Sequence, residues 1–314
     1  MIQKTVRFKH LALVIIDEQH RFGTAQRKTL ARKGAVTPHL LTMTATPIPR
    51  TLALTIYGDL DLTLLDEMPK GRKKIETRIV LPSEREQVYE SIRRELAEGR
   101  QCYVICPRID EPDPAKALAL QTKSVKAEAK RLKEKIFPEF EVGILHGKMK
   151  DADKEKTMER FKDGEIKILT ATSVVEVGVN VPNATIIVIE GAERFGLSQL
   201  HQLRGRVIRS NLQAYCFIFA ESAGRGTLSR LKALTAAKNG FELAEYDLRL
   251  RGAGDLAGAK QWGISDVGME AMKNLKMVEA ARKEAQDLLD RDSDLTNYPA
   301  IKERISPGGQ IHFE

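Results

Sequence analysis

Two acidic residues follow a short apolar run near the start of the chain. The run covers residues 11–16, Leu-Ala-Leu-Val-Ile-Ile, and Asp17 and Glu18 come directly after it. Such a run is typical of a buried parallel strand, and open α/β sheets bind ligands at the carboxyl ends of their strands. One carboxylate there can hold Mg²⁺ through oxygen, and the other can orient an attacking water. The pair therefore suggests the Walker B site of a nucleotide hydrolase.

Small hydroxyl residues follow two further apolar runs. Thr44 and Thr46 come after residues 39–43, and Thr170 and Thr172 come at the end of residues 166–169. The first pair can hydrogen-bond the acids and a neighbouring domain, and the second pair can reach a phosphate. Gly178 permits close approach of the backbone to a ligand. The motif at residues 44–47 taken alone is also a common turn sequence.

The most specific pattern is the run at 202–209, Gln-Leu-Arg-Gly-Arg-Val-Ile-Arg. Arg206 and Arg209 are three residues apart on a predicted helix, so both should point from the same face toward one polyphosphate. Their guanidinium groups can neutralise charge that develops on a transferring phosphoryl group. A solvated basic helix is the alternative interpretation of these arginines taken alone.

Apolar runs alternate with charged segments of helical spacing through much of the chain. This alternation predicts right-handed β-α-β units and a parallel sheet, in the α/β class. Strands are predicted at residues 11–16, 39–43, 76–81, 102–106, 142–145, 166–169, 185–189 and 214–219. Helices are predicted at residues 84–96, 125–136, 154–161, 227–237 and 268–289.

Composition describes a globular protein of 314 residues with 42% hydrophobic residues and a net charge of +8. Residues 1–75 hold 13 basic and 6 acidic side chains. This excess of positive charge is typical of a segment that binds a nucleic-acid phosphate backbone. The alternative is that the charge count of a single segment has no functional significance. No apolar stretch approaches the roughly 20 residues that span a bilayer. Cys102 and Cys106 lie four apart in a predicted strand, where core packing is favoured over a disulfide.

The phosphate-binding loop expected beside a Walker B site does not occur in these 314 residues. No Gly-x-x-x-x-Gly-Lys-Ser/Thr pattern is present, and Gly147-Lys148 is followed by Met149. Only two strong strands precede the polar linker at 66–74. We therefore expect the first domain to lack its N-terminal portion, and the chain alone to show no appreciable ATPase activity.

In their fixed order, these motifs resemble superfamily 2 helicases, and more closely the RecG family of branched-DNA helicases. The resemblance reaches from the first strand to about residue 263. It is carried by residues 17–23 (Asp-Glu-Gln-His-Arg-Phe-Gly), 43–51, 58–62, 66–72, 192–206 and 240–254. Transcription-repair coupling translocases share residues 248–254 and the motor motifs, whereas His20 and the Asp-Leu-Asp-Leu run are more like RecG.

The resemblance implies ATP and Mg²⁺ as cofactors and a role for individual residues. Asp17 would hold Mg²⁺ through water, and Glu18 would polarise the hydrolytic water. Arg206 and Arg209 would act in trans across the cleft between two domains. Nucleotide binding would also involve Gln202, Glu176 and Gly178; coupling would involve Gln19, His20, Thr44 and Thr46; DNA binding would involve Thr170, Thr172, Arg249 and Arg251.

The implied architecture is RecA-like, a P-loop NTPase-type fold with one incomplete and one complete parallel sheet flanked by helices. Residues 1–75 would end domain one, 76–222 would form domain two, and 223–314 a mainly helical translocation and C-terminal region. The implied function is the C-terminal motor portion of an ATP-dependent DNA helicase that remodels stalled forks and Holliday junctions in repair and recombination. Implied partners are branched double-stranded DNA, the N-terminal half of the same protein and single-stranded DNA-binding protein, with no membrane.

The resemblance further implies a monomer in the bacterial cytoplasm, associated with the nucleoid. Two positions depart from the family pattern: Ile208 stands where glycine is usual, and Gly191 where an acid is usual. The bulk of Ile208 puts the placement of Arg209 in question. A transcription-repair coupling translocase and a catalytically silent nucleic-acid-binding module are the alternative functions.

Overall fold

Six parallel strands form the main sheet of the protein. In spatial order they are β3 (Glu76–Val80), β8 (Tyr215–Phe219), β7 (Ala184–Glu190), β4 (Gln101–Ile105), β6 (Ile168–Ala171) and β5 (Val142–Leu145). A computed structural model describes residues 6, 8–18, 38–45, 61, 63–65, 73–107, 124–172, 181–207, 211–221, 224–237, 239–247 and 275–305. The chain divides into two compact units, residues 67–239 and residues 1–66 with 240–314. The main sheet belongs to the first of these units.

Strands and helices alternate along residues 67–239. The strands are β3 (Glu76–Val80), β4 (Gln101–Ile105), β5 (Val142–Leu145), β6 (Ile168–Ala171), β7 (Ala184–Glu190) and β8 (Tyr215–Phe219). The helices are α1 (Arg85–Ala97), α2 (Val125–Arg131), α3 (Asp151–Lys162), α4 (Leu197–Arg204) and α5 (Arg225–Ala236). The predicted α/β class, with a parallel sheet flanked by helices, is confirmed.

Helices cover both faces of the main sheet. Val88, Ile92 and Leu96 recur at helical spacing on α1 and are buried on the face that holds Cys102 and Val104 of β4. Tyr103 points to the opposite face, where its ring lies 5.0 Å from that of Phe161 on α3. Because both faces are covered, the inner strands are largely apolar and all seven residues of β7 are buried, whereas the edge strand β3 keeps Glu76 and Arg78 exposed.

The other unit contains a two-stranded parallel sheet and C-terminal helices. Strands β1 (Leu13–Ile16) and β2 (His39–Thr42) pair in parallel, with Ile16 opposite Thr42. Residues 240–247 are helical, and helices α6 (Leu275–Arg291) and α7 (Pro299–Ile305) follow. None of the described helices combines the length and apolar character needed to cross a membrane.

Some predicted bounds differ from those observed. Strand β6 begins at Ile168 rather than 166, because the Ile166 amide donates to the Arg160 carbonyl in the turn after α3. The buried side chain of Gln101 donates to carbonyl oxygens of Phe161 and Ile166, which fixes that turn. The helix predicted at 125–136 is α-helical only to Arg131 and continues as a π-helix at Leu132–Ile136.

The glycine that departs from the family pattern adopts a left-handed backbone conformation. Gly191 has φ 59° and ψ 43° at the start of a 3₁₀ turn, Ala192–Arg194, directly after β7. Residues other than glycine, asparagine and aspartate rarely adopt this backbone conformation. A Cβ at this position would lie 3.5 Å from Cγ of Pro107, an ordinary contact. Glycine therefore suits the conformation of this turn.

Candidate functional site

The acid pair lies at the carboxyl end of β1. The backbone N–H of Glu18 donates to Oδ1 of Asp17 at 2.8 Å, which orients the Asp17 carboxylate beside its own strand. Glu18 has φ 51°, a conformation that costs a residue with a side chain about 1–3 kcal/mol. The carboxylate oxygens of Asp17 are the hard donors that Mg²⁺ prefers, so the residue fits the predicted cation.

Thr44 leaves the sheet at the same edge as Asp17. Strand β2 ends at Thr42, which lies opposite Ile16, and the N–H of Met43 donates to the Ile16 carbonyl at 2.8 Å. Adjacent strands lie about 4.8 Å apart. The parallel register therefore brings the segments that carry Asp17 and Thr44 to neighbouring positions. Gln19, His20 and Thr46 lie outside the described residues.

The hydroxyls of Thr170 and Thr172 lie at the carboxyl end of β6, and both are buried without a hydrogen-bond partner among the described residues. Thr170 is 0% exposed, so contact with a phosphate would require its surroundings to open, whereas Thr172 at 9% lies nearer the surface. Buried polar groups are normally paired, which makes these hydroxyls candidates for an external partner. Glu176 and Gly178 lie outside the described residues.

A histidine joins these threonines through the strand register. Thr170 lies opposite Ile144, so His146, just after β5, is next to Thr172, whose N–H donates to the Leu145 carbonyl. Nδ1 of His146 is buried and also has no hydrogen-bond partner within the described part of the chain. The sequence favoured a structural turn for His146 and Gly147. Only the pairing of β5 with β6 reveals this neighbour of Thr172.

Gln202 and Arg206 lie on consecutive elements rather than on one α-helix. Gln202 is half-buried on α4, which ends at Arg204, and Arg206 is half-buried in the 3₁₀ turn Gly205–Val207 that follows. The predicted α-helix is therefore wrong at residues 205–207, which form a 3₁₀ turn. Arg209 lies outside the described residues, as do Ile208, Arg249 and Arg251.

Arg204, the arginine between these two residues, has a positioning role that the sequence did not reveal. Its Nη1 donates to the Leu234 carbonyl of α5 at 2.8 Å, and its Nη2 lies 3.1 Å from Nδ1 of His201. A guanidinium only donates, so Nδ1 of His201 accepts. Burial, followed by the charge of Arg204, lowers the pKa of His201 to about 4. Arg204 therefore fixes α4 against α5.

An arginine on α5 holds the turn that precedes α4. Nη2 of Arg230 donates to the Glu193 carbonyl at 2.6 Å. This turn follows β7, whose last residue, Glu190, is 1% exposed and pairs with Arg85 at the start of α1. The guanidinium of Arg85 also lies 4.6 Å from the Phe219 ring centroid. The segment from Glu190 to Glu193, which leads into α4, is therefore anchored to α1 at its start and to α5 at its end.

The predicted site residues fall in both units of the chain. Asp17, Glu18 and Thr44 belong to the unit of residues 1–66 and 240–314, and Thr170, Thr172, Gln202 and Arg206 belong to residues 67–239. No cluster of three or more metal-ligating side chains occurs among the described residues. Asp17 is accordingly the candidate for Mg²⁺, and the convergence of Asp17 and Arg206 on one triphosphate stays a prediction.

Comparison with protein families matches two consecutive parts of the chain. Residues 84–211 match the helicase conserved C-terminal domain. Residues 237–302 match domain 3, C-terminal, of the ATP-dependent DNA helicase RecG. The first match includes Thr170, Thr172, Gln202 and Arg206, the predicted site residues of the unit of residues 67–239.

Curated relatives match nearly the whole chain. The ATP-dependent DNA helicase RecG of Synechocystis sp. is 48% identical over 306 residues, which cover 97% of this chain and 36% of that protein. RecG of Bacillus subtilis is 45% identical over 317 residues, covering 100% of this chain and 46% of that protein. The chain thus spans less than half the length of these two relatives.

A solved structure of RecG bound to a three-way DNA junction is similar in fold as well as in sequence. It is 40% identical, with a TM-score of 0.64, over 89% of this chain and 35% of that chain. This similarity supports the RecA-like assignment of the parallel sheets. Together with the domain matches and the curated relatives, it shows that the chain belongs to the RecG family of ATP-dependent DNA helicases.

Proposed function

We propose that this chain supplies the C-terminal motor portion of an ATP-dependent helicase that remodels branched DNA during repair and recombination. The observation that carries the proposal is its similarity to RecG bound to a three-way junction, at 40% identity over 89% of the chain. The RecG domain 3 match at 237–302 favours this function over a transcription-repair coupling translocase. We assign residues 1–75 to the end of domain one, 76–222 to domain two and 223–314 to the translocation region.

In this proposal the nucleotide lies between acids of domain one and arginines of domain two. Asp17 would hold Mg²⁺, Glu18 would orient the attacking water, and Arg206 and Arg209 would neutralise charge on the transferring phosphoryl group. Mg²⁺ would supply electrostatic stabilisation of the phosphate oxygens. The hydrogen bond from the Glu18 amide to Asp17 supports this role, because it holds the carboxylate at the strand end.

DNA would lie against the carboxyl ends of β5 and β6. Thr172 and His146 can donate hydrogen bonds to phosphate oxygens, which positions a duplex without reading its sequence. Movement between the domains would be passed to α5 through Arg204 and Arg230, which bind α5 to the segment that carries Gln202 and Arg206. Binding to single-stranded DNA-binding protein and association with the nucleoid are further proposals, and they rest on the resemblance alone.

Junction binding by the 314-residue chain tests the DNA part of the proposal. Fluorescence anisotropy should show tighter binding to a three-way junction than to a linear duplex of equal length, weakening steeply as salt rises. Equal affinity for both DNAs at every salt concentration would contradict the proposal. The chain alone should show no DNA-stimulated ATPase activity, since its sequence contains no phosphate-binding loop.

A chimera tests the catalytic assignments and excludes a silent module. The chain would replace the region of the Bacillus subtilis relative to which it aligns, so that the remaining part of that helicase completes it. The chimera should hydrolyse ATP in a DNA-stimulated manner, and Asp17→Asn or Arg206→Ala should each lower kcat by about a thousandfold. Lys156→Ala on the exposed face of α3 is the matched control and should retain activity. A folded chimera without ATPase activity would favour a silent module.

A further inference from the structure

A groove of about 650 Å³ lies beside the amino-terminal half of β3, at the end of the parallel sheet opposite to the end that carries Thr172. Its walls are the start of β3, the start of β8 and the last two turns of α1. This volume is in the range of pockets that bind ligands larger than a single side chain. None of its lining residues belongs to the segments that carry Thr172, Gln202 or Arg206.

The floor of the groove is an aromatic platform. Tyr215 and Phe217 project from the same face of β8, with their ring centroids 6.2 Å apart and their planes within 4°. Ile92 of α1 and Ile186 of β7 complete the apolar floor, and both are buried. Flat aromatic surfaces of this kind attract the planar guanidinium of arginine as well as apolar side chains.

The rim of the groove carries more carboxylates than cationic side chains that can neutralise them. Its carboxylates are Glu76, Glu95 and Glu98, and each contributes to raising the pKa of Tyr215, after burial. Of the two arginines in the lining, Arg78 forms an ion pair with Glu84 at 2.7 Å, which lies outside the groove. Arg94 is the second arginine of the lining, and Arg100 lies close enough to oppose the rise in the pKa of Tyr215, so the three carboxylates exceed the two remaining cations.

The groove runs along an edge of the main sheet. Strand β3 is the first strand of the order and pairs with β8 on one side only among the described residues. An edge strand offers backbone donors and acceptors to an extended segment that lies alongside it. A cationic side chain of such a segment would then lie over Tyr215 and face Glu95 and Glu98.

We propose that this groove is a docking site for an extended peptide segment of a partner protein, anchored by an arginine over Tyr215. The occupant follows from charge complementarity with the acidic rim, from the aromatic floor and from the edge strand. Arginine fits better than lysine, because its planar fork can stack on a ring while it bonds a carboxylate in two places. The site is independent of the nucleotide and DNA roles proposed above.

The test uses the 314-residue chain and a fluorescein-labelled peptide, acetyl-Gly-Val-Arg-Val-Gly-amide. A peptide with glutamine in place of arginine is the matched ligand control. Anisotropy should show about tenfold tighter binding of the arginine peptide, and ¹⁵N amide shifts should move at residues 76–78, 94–98 and 215–217. The double substitution Glu95→Gln and Glu98→Gln should remove this preference, whereas Glu86→Gln on the exposed face of α1 should retain it.

Two results would overturn the proposal. One is equal binding of the arginine and glutamine peptides, or a preference for the arginine peptide that the double substitution Glu95→Gln and Glu98→Gln leaves unchanged. The other is association of two chains in sedimentation that Tyr215→Leu abolishes, since the groove would then serve a second copy. Because Tyr215 lies in the sheet, circular dichroism of each variant should first match that of the parent chain.

Discussion

Nη2 of Arg204 lies 3.1 Å from Nδ1 of His201, between helices α4 and α5. Because the guanidinium carries only donors, the bond requires a neutral imidazole whose proton is on Nε2. Burial and the positive charge of Arg204 disfavour the imidazolium and lower the pKa of His201 to about 4 from an ordinary 6.5. The contact between the arginine segment and α5 is therefore sensitive to acid.

Stability of the chain should fall as pH decreases from 6.5 toward 4. The unfolded state takes up a proton on His201 below pH 6.5, while the folded state does not do so until about pH 4. By pH 5 the loss should reach about 2 kcal/mol relative to pH 7.5, measured by urea unfolding. His201→Gln removes the titrating group, so its stability should change less over this range. An equal pH dependence in both proteins would show that His201 does not titrate in this way.

The buried pair of Arg85 and Glu190 should be essential to the unit of residues 67–239. Glu190 is 1% exposed and Arg85 is 14% exposed at the side chain, with Nη2 and Oε2 3.1 Å apart. Glu190→Gln leaves the arginine without its countercharge and should lower the free energy of unfolding by about 3–5 kcal/mol. Lys154→Gln breaks the exposed pair with Asp151 and should cost less than about 1 kcal/mol. Similar losses in both variants would contradict the buried-pair argument.

The three thiols should be unreactive in the folded chain. Cys102, Cys106 and Cys216 are free and buried, as the sequence predicted for the first two. Burial raises the pKa of the Cys216 thiol to about 12 and that of Cys102 further still. A thiol-specific chromogenic reagent should therefore react with the native chain at least about a hundredfold more slowly than with the urea-unfolded chain. Rapid reaction of one native thiol would place it at the surface.

The strands of the main sheet could be predicted because local pattern determines them. Most are short apolar runs bounded by turn residues, and the predicted bounds of β5, Val142–Leu145, are those observed. Shifts arose where a tertiary contact decided the boundary. The amide of Gln101 holds the turn that delays β6 to Ile168, and nothing in the sequence near residue 166 reports that contact.

The sequence displays the motifs of the candidate site, but it does not display the contacts that hold those motifs in place. Asp17 and Arg206 stand out by residue type and spacing, which a sequence displays directly. Arg204 was read as part of the same motif, yet its bond to the Leu234 carbonyl joins residues 30 positions apart. His146 likewise required the register between β5 and β6. Partners that are brought together only by the fold have no local signature.

Two threonines provide a matched test of the proposed DNA surface. Thr172 and Thr185 both carry a buried hydroxyl without a hydrogen-bond partner among the described residues, but Thr185 lies near the start of β7, at 0% exposure. Thr172→Val should weaken junction binding by about tenfold, because a hydrogen bond to a charged phosphate is lost. Thr185→Val should leave binding unchanged and be neutral or slightly stabilising, since it removes an unsatisfied group.

The salt dependence separates a lost hydrogen bond from a lost charge. A threonine hydroxyl releases no counterion, so Thr172→Val should shift junction affinity equally at all salt concentrations without changing the slope of log affinity against log salt. Anisotropy titrations of the parent chain and both variants across a salt series measure this directly. Weakening by Thr185→Val as large as that by Thr172→Val would mean that the hydroxyl at the end of β6 does not contact DNA.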